Sequence, residues 1–162
     1  MILGLDMATK TGWCFLENGK VFASGVQDFS KRRGESNGIM FMRFRKWLVE
    51  LPAISPTAII VIAYERAHMR GGAATEIALG LQTHAQEVAA VQGVESVGVH
   101  TATLKKFACG AGRADKSQMI AEAWKILGRP PIDDNEADAV HVARWAESEF
   151  GTGISSGVED FL

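Results

Sequence analysis

Three short apolar runs separated by turn-forming residues open the chain: MILGLD at 1–6, GWCFLENG at 12–19 and KVFASGVQDF at 20–29. Asn18-Gly19 between the second and third is a hairpin signal, because both residues tolerate the positive φ that a tight turn demands. The pattern predicts three strands joined by hairpins, hence an antiparallel start. A polar loop, SKRRGESNG, leads into GIMFMRFRKWLVEL, where Ile39, Met42, Phe44 or Arg45, and Trp47 recur at mixed helical spacing before Pro52 and Pro56. An amphipathic helix is expected there. TAIIVIAYE at 57–65 is apolar and β-branched up to its last residues, as a central strand covered on both faces is. Residues 73–92 predict a long Ala-rich helix, VESVGVH at 94–100 a fifth strand, and 101–108, 116–127 and 134–150 three more helices. Three strands followed by alternating helix and strand describe an α/β domain with a mixed sheet, antiparallel on one side and parallel on the other.

Composition narrows the class. A chain of 162 residues, 47% apolar, 22% charged and of net charge −2, is long enough for one domain with a real core. Residues 1–150 are expected to form it, with 151–162, GTGISSGVEDFL, as a loose tail. The run from Ala58 to Ala63 is too short to cross a bilayer, and no basic leader precedes the first strand, so a cytoplasmic protein is expected. Cys14 and Cys109 lack CxxC or Cys/His spacing, which argues against zinc and against a disulfide framework. Net charge carries no polyanion signal, so contact with a nucleic acid has to come from local patches or metal ions.

The acids supply the candidate chemistry. Strand alternation puts Gly4 and Asp6 on one face of the first strand, and Ile59, Val61, Ala63 and Glu65 on one face of the fourth. Each strand thus ends on a carboxylate, and if the strands are neighbours the two converge. Taken singly, Asp6 reads as a turn residue and Glu65 as a partner of Arg66 or Arg70. DDNEADAV at 133–140 changes the balance, with four carboxylates leading into a helix. At about 100° per residue, Ala139, Val142, Ala143, Ala146 and Phe150 form the apolar stripe; Asn135 points within it, Asp138 lies on its rim and Asp134 just beyond. Asp133 or Asp134 can cap the helix, and Glu136 suits the positive end of its dipole. Asp138 is a turn further in, where like charge at i,i+4 from Asp134 costs ~0.2–0.5 kcal/mol even when solvated. A hard divalent cation removes that difficulty, since Mg²⁺ takes oxygen ligands and, in a two-metal site, promotes phosphodiester hydrolysis.

GLDMATKTGW, AYERAHMRGG, LKKFACGAGRADKSQM and DDNEADAVHVA, in this order and spanning residues 4 to 143, resemble the RuvC family of Holliday junction resolvases, within the ribonuclease H-like superfamily. The resemblance implies a ribonuclease H-like mixed five-stranded sheet flanked by helices. It implies a homodimer that nicks branched DNA symmetrically, leaving 5′-phosphate and 3′-hydroxyl ends. Carried over by position, it makes Asp6, Glu65 and Asp138 metal-binding catalytic carboxylates for Mg²⁺, with Mn²⁺ as a substitute. The family's fourth ligand falls on Asn135, so either its carbonyl oxygen ligates, Asp134 takes its place, or the second ion is held more weakly. Lys105 and Lys116 fall at the basic positions near the scissile phosphate, and Lys116 is implied in catalysis. An aromatic wedge position falls on His68, with Arg66 and Arg70 beside it as DNA contacts. Lys31, Arg32 and Arg33 form a basic run suited to a DNA arm or simply to solvent. Ala74, Ile77, Ala78, Leu81, Ala85, Val88 and Ala89 cover enough of the long helix for it to face both the sheet and a two-fold partner.

Other classes fit less well. The sugar kinase, Hsp70 and actin superfamily opens on a similar strand and Asp, but needs a second related domain. A YqgF-type nuclease acting on RNA, a nuclease for other branched DNA, and a junction-binding protein that does not cut remain the alternatives.

Overall fold

The computed structural model describes residues 1–67 and 71–151. Its strands are β1 (Ile2–Asp6), β2 (Lys10–Glu17), β3 (Lys20–Asp28), β4 (Val61–Glu65) and β5 (Glu95–Val99). Its helices are α1 (Asn37–Glu50), α2 (Ala73–Gln92), α3 (Thr101–Cys109), α4 (Lys116–Leu127) and α5 (Asp134–Phe150). The sheet order is β3-β2-β1-β4-β5. β1–β2 and β2–β3 pair antiparallel, β1–β4 and β4–β5 parallel, so the mixed five-stranded sheet expected from the alternation is the one that forms. Asn18 and Gly19 adopt φ 51° and 73°, the left-handed pair that a tight hairpin requires.

Two apolar layers sandwich the sheet. Leu3, Leu5, Phe15, Ile62 and Tyr64 point to α1 and α2, meeting Met40, Phe44, Leu48, Leu81 and Ala85. Ile2, Cys14, Leu16, Val61, Ala63 and Val99 point the other way, onto α5 and its neighbours α3 and α4. Both faces of β1 and β4 are covered, which explains their unbroken apolar runs.

Two local features differ from expectation. β4 begins at Val61, and Leu51–Ile54 forms a 3-10 turn shaped by Pro52. The inward face of α1 is Met40, Phe44 and Leu48, while Ile39 and Met42 point outward. Apolar residues surround that helix, so spacing alone left its phase open. On α2, Leu81, Ala85, Val88 and Ala89 form the face buried within the chain, as its apolar spacing allows, and Ala74 is exposed.

Candidate active site

β1 and β4 run parallel with Leu5 opposite Tyr64, so Asp6 and Glu65 follow side by side where both strands leave the sheet. Alternation turns both side chains to the α5 face, the side of Gly4 and Ala63. The carboxyl edge of adjacent parallel strands is where open α/β sheets gather their functional groups.

Close approach of α5 brings the third acid. A β-carbon on Gly4 would lie 2.5 Å from the Ala139 carbonyl oxygen, and one on Gly12 only 1.9 Å from that of Asn135. Gly12 pairs with Asp6 across β1–β2, so the missing side chain lets the first turn of α5 rest beside Asp6. Asp133 caps that turn, its Oδ1 accepting from the Glu136 N–H at 3.0 Å. Asp138, one turn along, then lines a cavity of about 180 Å³ with Glu65, Asp134, Thr101, Lys105, Lys116 and Met119.

The acids divide by environment. Burial, then the charges of Asp138, Glu65, Asp134 and Asp133, hold the Asp6 carboxyl well above its ordinary range. Burial, then Glu65 and Asp134, push Asp138 up to about 7, against the opposing pull of Lys105 and Lys116. Asp134 goes the other way, since the Lys116 ammonium donates to it and holds it low. At Asp6 and Asp138 burial and repulsion thus outweigh any nearby counter-charge, whereas Asp134 has a lysine of its own. Oxygen donors of this kind fit a hard divalent cation in chemistry and charge. Among the described residues no three acidic, histidine or cysteine side chains already close on one point: Glu65, Asp134 and Asp138 line the cavity, while Asp6 feels their charge without lining it. Asn135 donates its amide to Oδ2 of Asp133 at 3.0 Å, which commits its nitrogen to the helix cap.

No family model matches this chain, and no curated protein does. Solved structures do. The structure of Thermus thermophilus RuvC aligns with a TM-score of 0.73 at 18% identity, covering 93% of this chain and 96% of that one. T. thermophilus RuvC in complex with Holliday junction substrate aligns at 0.72 and 18% identity, covering 88% and 89%. The chain has a RuvC-like fold.

On this RuvC-like frame the cations are unevenly placed. Lys105 and Lys116 both line the cavity, from α3 and from the first residue of α4. Arg66 instead lies along β5, its Nε donating to the Gly98 carbonyl at 3.0 Å and its Nη1 standing 3.2 Å from His100 Nε2. His68 and Arg70 lie outside the described residues, as does the tail from 152 onward. Lys31 donates to Asn37 Oδ1 at 2.7 Å on the exposed loop before α1.

Three supporting residues were not apparent from spacing. Glu136, read as a helix-dipole residue, is fully buried and takes Arg129 bidentately at 2.6 and 3.1 Å and the Ser24 hydroxyl at 2.7 Å. It thereby ties β3 and the loop before α5 to the turn that carries Asp134 and Asn135. His141 is buried one turn beyond Asp138, with Nε2 2.8 Å from the Met119 carbonyl in the first turns of α4. Burial pushes its imidazole down, so the ring is neutral and Nε2–H donates, keying the helix of Lys116 to the helix of Asp138. Thr101 donates its hydroxyl to Glu65. A His between apolar residues and a Thr opening a helix carry no periodic signal that separates these roles from ordinary packing.

Proposed function

We propose that the chain is a Mg²⁺-dependent, structure-selective DNA endonuclease that resolves four-way (Holliday) junctions. The observation that carries this reading is that Asp6 and Glu65 end neighbouring parallel strands of a RuvC-like sheet, with Asp6 in the field of Asp138 and with Glu65 and Asp138 lining one cavity together with Lys105 and Lys116. That T. thermophilus RuvC has been solved with a Holliday junction substrate supports the substrate class.

Asp6, Glu65 and Asp138 would hold Mg²⁺ or Mn²⁺, with Asp134 or the Asn135 carbonyl oxygen completing the set. When bound, one or two such ions supply Lewis acidity to the scissile phosphate and to the attacking water. Lys116 pairs with Asp134; with DNA in the cavity its ammonium would turn to a phosphate oxygen, and Asp134 would then be available to hold the ion. Lys105 brings a second ammonium to the same cavity. Arg66, Arg70 and His68 follow Glu65 in the chain and would meet the DNA arms beside the cut. Two such sites in a homodimer give symmetric nicks with 5′-phosphate and 3′-hydroxyl ends, in a protein working in the cytoplasm.

End-labelled four-way junction, duplex, flap and RNA/DNA hybrid incubated with the protein and Mg²⁺ test this directly. Paired nicks confined to the junction are expected. Preference for the hybrid moves the assignment to a ribonuclease, and binding of the junction without cutting in either Mg²⁺ or Mn²⁺ overturns the endonuclease.

A further inference from the structure

Glu65 does not stand alone at the end of β4. It pairs with Val99, the last residue of β5, in the parallel ladder, so the chain two residues beyond Val99 begins α3 beside the carboxylate. There the Thr101 hydroxyl donates to Oε1 of Glu65. The corner is secured independently of that bond: the Arg66 N–H donates to the Val99 carbonyl at 2.8 Å, and the Arg66 side chain clasps Gly98. The β4–β5 junction therefore has ties of its own besides the Thr101 hydroxyl. Thr101 lines the cavity with Glu65, as does Lys105 one turn later on the same side of α3.

We propose that Thr101 is a positioning residue for Glu65, fixing the carboxylate's rotation so that it meets a divalent cation in the cavity in a set orientation. This rests on the metal-dependent nuclease reading above. A strand-terminal glutamate has three side-chain torsions to order, and a hydroxyl anchored on a helix start removes most of that freedom before the ion arrives. Hydrogen-bond partners of ligating carboxylates act in this way, and their removal typically costs 10–100-fold in metal affinity or activity.

Thr101→Val removes the hydroxyl and keeps the volume; Thr101→Ser keeps the hydroxyl. Mn²⁺ binding to the full chain, followed by the electron paramagnetic resonance of the free ion, is compared with the Mg²⁺ dependence of junction cleavage and the melting temperature in EDTA. Thr101→Val should weaken Mn²⁺ binding about 10–100-fold and raise the half-saturating Mg²⁺ in proportion. Its melting temperature should hold, and its cutting rate should largely recover at saturating metal. Thr101→Ser should behave as wild type. Thr101→Ala gives the same comparison if valine disturbs α3. Wild-type Mn²⁺ affinity in Thr101→Val, or equal loss in Thr101→Ser, overturns the assignment while leaving the nuclease intact. Wild-type protein that neither binds Mn²⁺ nor cuts overturns the nuclease reading and this assignment together.

Discussion

Replacing Asp138 by asparagine removes a charge that the metal-free fold accommodates badly, so the variant should be more stable than the natural protein while losing its activity. Burial and the neighbouring acids lift the Asp138 carboxyl from 3.8 to about 7. A raised folded-state value means that the folded protein holds this proton more tightly than the unfolded chain does. The stabilisation is complete below pH 4 and is lost as the pH climbs through about 7. At about 1.4 kcal/mol per pH unit the full gap is worth roughly 4 kcal/mol, and imperfect pairing of the new amide lowers the expected gain to about 2–4 kcal/mol at pH 8. For a domain of this size that is a rise of roughly 5–15 °C in melting temperature. Thermal unfolding of both proteins in EDTA, at pH 4 and pH 8, measures it. The gap should be present at pH 8 and nearly absent at pH 4. Added Mg²⁺ should close it by stabilising only the natural protein, through binding to the folded state. Equal or lower stability of Asp138→Asn at pH 8, or a gap that does not change with pH, would refute the electrostatic argument.

Gly12→Ala forces a β-carbon against the Asn135 carbonyl oxygen, 1.9 Å away before relaxation, and should cost about 1–3 kcal/mol in urea unfolding while slowing cleavage, because α5 must lift from beside Asp6. Unchanged cleavage would separate the helix position from the chemistry. Glu136→Gln breaks a buried pair whose Arg129 partner is 45% exposed and can rehydrate, so about 1–3 kcal/mol of stability should go at pH 7. Burial raises the Glu136 carboxyl, but Arg129, the Ile132 N–H and Ser24 outweigh it and hold it below its ordinary 4.5. That stability is therefore present above pH 4.5 and lost as the pH falls through the lowered value, and the deficit of Glu136→Gln should shrink on acidification. Lys116→Ala should slow single-turnover cleavage more than it weakens junction binding, since one phosphate contact is a small part of the total electrostatic affinity. Comparable loss of both would assign Lys116 to binding alone.

Much of this architecture was legible because its signals are local. Asn18-Gly19 specifies its turn, the apolar run into Glu65 specifies a doubly covered strand, and the alternation in 1–6 and 61–65 places both acids on one face. Helical phase placed Asp138 on the rim of a stripe, although the buried face of α5 is wider than the expected one and takes in Ala137, Val140 and His141. The remainder depends on groups distant in sequence. Glu136 looks like any acid in a first turn until Ser24, 112 positions away, is folded against it. Thr101 reaches Glu65 across 36 positions. Gly4 and Gly12 read as strand glycines, and only the arrival of α5 shows that a side chain at either would collide with backbone. The phase of α1 was ambiguous because apolar residues on every side satisfy several faces equally.

The central claim is that the acids gathered at this sheet edge cut DNA. Asp6→Asn tests it most directly, because Asp6 sits where the charges of Asp138, Glu65, Asp134 and Asp133 all converge. Labelled four-way junction is presented to natural and Asp6→Asn protein in Mg²⁺, with binding followed in parallel in Ca²⁺. The account predicts that cleavage disappears and junction binding survives. Cleavage by Asp6→Asn at the natural rate would contradict it.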